Sequence, residues 1–452
     1  MPDFSKKRFL VIDDLPQARD ALRTIAQSVG AFMVEFASNY QDAIFRIRNN
    51  VPDIILCDYM LGEGRSGQQL LEELRRFELL PDETIFMMVT GEQSYEQVVS
   101  AVELVPDDYI IKPFSPDKLL LRLDRIVQKK QFFASYYREK RRKEYAKALA
   151  ILEKQNASEA ARPYRFEILR QQAEVLIKAG EPEAAETTYR KILDNYDFPW
   201  ARAGVARALH TQHRLNEARE EIDRVVASSP QFFDAADLKA NICMAQGEHA
   251  EAQEILNQAS ARTPRNYLRK RLLAEAATLN GDTAAATAAM ADVIANDSMP
   301  GAISAYDRLM HARSYVNAGD NITAEKVLLS LRESDVQNFT LDLQASYSAL
   351  LSIASPGKGK LKFSGLRPAL LASNFVPEPC LDIIRASLWL RDFELADFHA
   401  EHLMAERDAK KIFNTLRSQY ALHGRETDFR NIQRQVAMRR INHDEPKPDT
   451  GT

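Results

Sequence analysis

The sequence of 452 residues predicts a multidomain chain. Its N-terminal quarter reads as a doubly wound α/β sheet, and the rest as an all-α superhelical array of stacked helical hairpins. Two observations carry this. Between residues 8 and 128, short apolar runs alternate with segments of helical spacing, five times over. Such alternation builds a parallel sheet with helices on both faces. Further on, a four-position pattern recurs about every 34 residues, as expected of units that bury their apolar faces only against each other.

The α/β elements come in order. Phe9–Ile12 is a short buried strand, and Ala18, Leu22, Ile25 and Ala26 lie on one side of a helix ending near Ser28. Phe32–Phe36 is the second strand; Ser38 or Asn39 starts the helix carrying Ala43, Ile44 and Ile47. Strand Ile54–Cys57 precedes a helix over Gln68–Phe77, and strand Thr84–Val89 one over Tyr95–Leu104. Tyr109–Ile111 is the fifth strand, and Pro116 opens the last helix.

Polar residues sit at the carboxyl ends of these strands, where open α/β sheets bind ligands. Asp13 and Asp14 follow the first strand, Asp58 the third, Thr90 the fourth and Lys112-Pro113 the fifth. Three carboxylates can converge on Mg2+, which takes oxygen ligands. Asp58 can attack phosphorus as a carboxylate nucleophile. Lys112 can pair with Asp58 and later with a phosphoryl oxygen, and Thr90 can donate a hydrogen bond to another.

Together these residues resemble the receiver domain of bacterial two-component response regulators, a flavodoxin-like (βα)5 fold, over residues 8 to 128. The resemblance implies Asp58 as the phosphorylation site, Asp13 and Asp14 as Mg2+ ligands, and Thr90 and Lys112 as switch and phosphate-contacting residues. It makes Tyr109 the aromatic switch, whose ring moves inward when the Thr90 hydroxyl engages phosphate. The Met60 backbone carbonyl becomes a further Mg2+ ligand. The loop Tyr59–Gly67 departs from the usual pattern, lacking the customary proline and running about one residue longer. The Met60 side chain offers no polar group to position a hydrolytic water, so slow autodephosphorylation is expected. Gly91 leaves access to the phosphate open, and Val105-Pro106 replaces the common Gly-Ala.

From Pro116 to Leu152 there is no internal proline or glycine. This connector is expected either to run on as one rod or to break near Lys130. It offers a rigid lever or a homodimer seam. Its basic cluster, Arg138 to Lys143, reads as a solvated helix face, with Phe132, Phe133, Tyr136 and Tyr137 packed on a neighbour.

In the array, Ala173, Ala206, Ala240, Ala274 and Ala312 stand 33, 34, 34 and 38 residues apart. Seven residues after each comes Gly180, His213, Gly247, Gly281 or Gly319; five further on comes Ala185, Ala218, Ala252, Ala286 or Ala324. Tyr189, Ile222, Leu256, Met290 and Leu328 complete the pattern, and Pro230 and Pro264 mark unit ends. Small residues let paired helices approach, and the glycine or histidine makes the turn. The period resembles the tetratricopeptide repeat, with an insertion expected around Asn296–Ala302. Beyond residue 335 the pattern degrades: Ser355–Lys360 reads as a loop, and Phe393, Ala396, Ala400 and Leu403 form an apolar helical stripe. The expected boundaries are 1–128 for the α/β domain, 129–160 for a connector continuing its last helix, 161–334 for about five repeats, 335–441 for degenerate repeats and a cap, and 442–452 for a disordered tail.

The net charge of -4 gives no sign of a nucleic-acid surface. The three cysteines are far apart, and the start, MPDFSKKRF, has no signal-peptide run. No stretch has membrane-span length, so a cytoplasmic protein without membrane or nucleic-acid partners is expected. Residues 150–452 show no zinc motif, glycine-rich phosphate loop or serine-nucleophile elbow. The chemistry expected is therefore Mg2+-dependent phosphoryl acceptance and autodephosphorylation. The favoured expectation is an adaptor that takes phosphate from a histidine kinase or phosphotransfer protein and regulates binding of a protein target at the repeats. The alternatives are a phosphate sink competing for a kinase, or a constitutive repeat scaffold.

Overall fold

The computed structural model describes residues 3–61, 66–76, 79–91, 106–194, 196–230, 232–263, 266–295, 304–331, 336–406 and 409–444. The chain divides into two compact units, Met1–Leu238 and Lys239–Thr452.

The first unit opens with β1 (Arg8–Ile12), α1 (Pro16–Ser28), β2 (Met33–Ala37), α2 (Tyr40–Asn49), β3 (Ile54–Asp58), α3 (Gly67–Arg76), β4 (Ile85–Thr90) and β5 (Asp108–Ile111). The strands pair in parallel, in the order β2-β1-β3-β4-β5. Asn39 rather than Ser38 caps α2, accepting from the Asp42 amide at 2.9 Å. Val11, Leu56, Met87, Val89 and Ile110 form one side of the sheet core with Leu119, Leu123 and Ile126 of the following helix. The helix expected over Tyr95–Leu104, the residue Val105 and loop positions 62–65 lie outside the described residues.

Helix α4 runs unbroken from Pro116 to Arg141, past Lys130. The sequence offered a break near Lys130 or a continuous rod; the chain instead turns at Arg142–Lys143 and restarts as α5 (Tyr145–Asn156). Lys143 takes φ 60°, and its amide donates to the Lys140 carbonyl at 3.0 Å while that of Glu144 donates to Glu139 at 3.0 Å. This is a left-handed helix stop made without glycine, so no glycine announced it. Lys130 is 8% exposed. Its ammonium meets Asp107 at 2.7 Å and the Asp82 carbonyl at 2.6 Å. Phe133, Tyr136 and Tyr137 are buried with Ala148, Leu152 and Ile168 in a second core. Part of the basic cluster turns toward acids of the α/β domain: Lys140 pairs with Asp82 at 3.0 Å, and Arg141 with Glu83.

The helical hairpins are α6 (Arg165–Ala179), α7 (Pro182–Leu193), α8 (Pro199–Thr211) and α9 (Leu215–Ser228). Then come α10 (Phe233–Gln246), α11 (His249–Arg262), α12 (Tyr267–Asn280), α13 (Thr283–Ala295), α14 (Ala305–Ala318) and α15 (Asn321–Leu329). The pattern read from the sequence has a direct structural meaning. All five alanines at its first position and all five at its third are buried. Gly180, His213, Gly247, Gly281 and Gly319 all have positive φ, between 59° and 85°. Pro264 and the expected insertion at 296–302 lie outside the described residues.

The last helices are α16 (Leu341–Ala354), α17 (Pro356–Leu371), α18 (Pro377–Leu390), α19 (Phe393–Ala405), α20 (Ala409–Leu422) and α21 (Glu426–Asp444). Two expectations change here. Ser355–Lys360 is not a loop: Ser355 is the turn, and Pro356 starts α17. Gly359 is there for close packing, since a Cβ would strike the backbone of Leu351 and Ser352. Helix α21 takes in Asn442–Asp444, where the unstructured tail was expected to begin; 445–452 lie outside the described residues. The repeat turn also persists beyond residue 335, with Arg391 at φ 63° followed by buried Ala396 and Ala400.

Paired substitutions test the packing of α17. Gly359→Ala is expected to lower stability by about 1–3 kcal/mol through overpacking. Gly365→Ala, whose Cβ would meet nothing within 4 Å, is expected to raise it by about 1 kcal/mol through helix propensity. Thermal melts followed by circular dichroism read both; equal effects of one sign would contradict this packing.

Candidate functional site

Strand register assembles the site. Ile12 lies beside Cys57, so Asp13 and Asp58 leave neighbouring strands together. Asp58 lies beside Val89, which sets Thr90 one step beyond it. Thr90 pairs with Ile111, and the Lys112 amide donates to the Thr90 carbonyl at 2.7 Å. The Lys112–Pro113 peptide is cis. The β1/β3 boundary is where the strand order reverses, the position at which such sheets bind ligands.

The Lys112 ammonium joins two carboxylates, donating to Asp58 Oδ1 at 2.7 Å and Asp13 Oδ2 at 2.8 Å. The other oxygens are held by backbone: the Met60 amide donates to Asp58 Oδ2 at 3.0 Å, and the Leu15 amide to Asp13 Oδ1 at 3.0 Å. Arg19 fixes the Asp13 carbonyl at 2.7 Å. Gly67 seats against Asp58, for a Cβ there would collide with the Asp58 carbonyl. Asp13 and Thr90 are each 1% exposed.

Burial pushes the Asp58 carboxyl above the ordinary aspartate value; Lys112 opposes this and Asp13 adds to it. For Lys112, burial favours the neutral amine, but hydrogen bonds to Asp13 and Asp58 outweigh it and raise the ammonium above its usual value. The directions agree: one cation serves two anions, so it gains from both while they repel each other. Burial pushes the Cys57 thiol far up.

The structure brings Asp13, Asp58 and Lys112 into contact, with Thr90 on the adjoining strand end. Asp14 is half-buried and, among the described residues, makes no hydrogen bond or ion pair. A free carboxylate beside two partly neutralised ones is an all-oxygen donor set, which fits a hard divalent cation such as Mg2+. Tyr109 is half-buried beneath the Arg122 guanidinium, 5.8 Å from its ring centre. Arg122 also donates to Asp108 at 2.6 Å. Sequence reasoning did not single out Arg122; its only signal is a cation on the inner half of a helix that follows an aromatic strand end. Glu73 was also missed: burial pushes it up to about 7, and among the described residues its Oε2 has no partner.

Residues 9–124 match the family model described as the response regulator receiver domain. The first unit therefore contains a receiver domain. The phosphate regulon transcriptional regulatory protein PhoB of Pseudomonas aeruginosa is 36% identical over 123 residues, which are 27% of this chain and 52% of that protein. PhoB of Escherichia coli strain K12 is 33% identical over 123 residues, with the same shares of 27% and 52%. The chain thus spans about half the length of the curated relatives it matches. The solved structure of PilW, a widely conserved type IV pilus biogenesis factor, is 18% identical and aligns with 47% of this chain and 95% of its own, at a TM-score of 0.41. Among the described residues no helix is long and apolar enough to cross a membrane.

The raised Asp58 value sets a pH dependence. A carboxyl whose folded value is raised costs stability when ionised, and that cost disappears as pH falls through the folded value. Asp58→Asn is therefore expected to be more thermally stable than wild type near neutral pH, with the gap closing as pH falls into the carboxylate range. A gap that widens on acidification would contradict the assignment.

Proposed function

We propose that the chain is a phosphorylation-controlled signalling adaptor. Asp58 accepts a phosphoryl group from a histidine kinase or phosphotransfer protein, and the change at the receiver alters what the helical hairpins bind. The observation that carries this reading is the Lys112 ammonium, 2.7 Å from Asp58 and 2.8 Å from Asp13.

The transfer balances simply. An Asp58 oxygen forms the new P–O bond, the P–N bond of the donor phosphohistidine breaks, and the departing imidazole keeps the electron pair and takes a proton from solvent. Lys112 then exchanges its contact with Asp58 for one with a phosphoryl oxygen. The Met60 amide, already on Asp58, orients the carboxylate. The Thr90 hydroxyl turns to a second phosphoryl oxygen, and Tyr109 moves toward the space it leaves. Asp13, Asp14, Asp58 and the Met60 carbonyl would hold Mg2+, which supplies charge neutralisation for the incoming phosphate.

What supports a protein-binding output is the hairpin array, since such repeats present extended surfaces to other chains. Helix α4 gives the receiver a route to the first hairpins, because its inner end packs on the sheet and its outer end on the second core. The Met60 side chain is 50% exposed and apolar, which supports slow loss of the phosphoryl group.

Intact mass of the full chain with Mg2+ and a small phospho-donor tests the reading. One phosphoryl adduct is expected on wild type and none on Asp58→Asn, with the adduct persisting for minutes or longer. Thr90→Ala is expected to accept phosphate without the accompanying change in target capture. An adduct on Asp58→Asn, or none on wild type, would contradict the assignment, and loss within seconds would contradict the role given to Met60.

A further inference from the structure

Within the second unit, helix α20 and the turns of the hairpins α10–α15 border a cleft of about 1010 Å³. Arg385 and Trp389, one turn apart on α18, line it together with Asn317, Gln419 and Leu422.

Arg385 presents a charge problem. Asp382, three residues earlier on α18, is already bound bidentately by Arg313 at 2.8 and 2.7 Å. Among the described residues Arg385 meets only a neutral oxygen, Asn317 Oδ1, and makes no ion pair. Burial holds its guanidinium below the usual arginine value, against the pull of Asp382 and with the push of Arg313. It stays charged nonetheless, with five N–H donors and a single protein acceptor. A half-buried cation with most of its donors unmatched by protein favours an anion that completes it.

Two further observations define what the anion is attached to. Gln419 is 4% exposed, and among the described residues its Oε1 has no partner; an amide oxygen there calls for an N–H donor. Trp389 and Leu422 are 51% and 84% exposed, so apolar surface adjoins the cation. Glu248 and Glu251 also line the cleft, and their charge disfavours a run of acids.

We propose that this cleft takes a segment of a partner protein that presents a single carboxylate beside a large apolar side chain. The carboxylate lies on Arg385, the apolar group on Trp389 and Leu422, and a backbone N–H on Gln419. The proposal rests on the protein-binding reading above and narrows it to one site and one chemistry.

The chain has two tryptophans, so Trp200→Phe leaves Trp389 as the sole indole reporter. The full chain in that background is titrated with short synthetic peptides carrying one Glu and one Phe at spacings of one to four residues, and with twins having Gln for Glu. At least one Glu peptide is expected to shift Trp389 emission and to bind about tenfold more tightly than its twin, the size of about 1.4 kcal/mol. Arg385→Gln is expected to erase that preference and Arg385→Lys to keep part of it, with circular dichroism melts establishing that both variants fold. N-acetylglutamate alone is expected to compete weakly.

Equal binding of the twins, or a preference that survives Arg385→Gln, would overturn the carboxylate assignment while leaving a protein-binding cleft. Binding of N-acetylglutamate as tight as that of any peptide would make this a small-molecule site and overturn the peptide. Silence of every peptide would overturn the proposal outright, whereas the adaptor reading stands or falls on the Asp58 adduct and target capture.

Discussion

The receiver's chemistry depends on one shared cation. Lys112 reaches Asp13 and Asp58 across three strand ends, and it does so because the parallel register stacks β1, β3, β4 and β5 with their carboxyl ends together. Two carboxylates in adjoining strands, one buried and one half-buried, would repel each other without it. With it, the pair is held but not fully neutralised, and Asp58 remains at higher free energy than an ordinary surface aspartate. In the function proposed above, that imbalance would give a phosphoryl group on Asp58, with its own charge and acceptor oxygens, the means to redistribute the contacts. Stability given up at the site is the usual cost of a poised functional group.

A second polar contact ties helix α4 to the sheet. Lys130 is buried against Asp107 and the Asp82 carbonyl, and Asp107 also accepts from the Phe86 amide at 2.8 Å. The same helix therefore touches the start of β4, the approach to β5 and, through Arg122, the ring of Tyr109. Its last turns enter the aromatic core around Phe133 and Tyr136. A change at Tyr109 has a continuous helical element on which to act, and that element ends in packed side chains rather than in solvent.

Much of this was legible in the sequence, for reasons that also explain what was not. Apolar runs ending in Asp, Thr or Lys reveal strand ends, so Asp13, Asp58, Thr90 and Lys112 stood out. The alanine and glycine positions of the hairpins were readable because close helix approach and left-handed turns admit few residue types. Where the chain makes the same turn with another residue outside the repeat period that exposed His213, the signal vanishes: Lys143 and Arg391 both have positive φ, and neither marked its helix end. Gly359 misled in the opposite direction, its lack of a side chain serving helix contact rather than a loop. The Lys130–Asp107 contact and the isolated charge of Arg385 depend on which partners the fold has already claimed, and no local pattern carries that information.

Hydrogen–deuterium exchange of the full chain, with Mg2+ and with or without beryllofluoride as a stable phosphoryl mimic, tests the central claim most directly. The account predicts altered protection at the ends of β4 and β5, along Pro116–Arg141 and in the hairpin Arg165–Leu193, all absent in Asp58→Asn. Changes confined to residues before Pro116, or identical in Asp58→Asn, would contradict it.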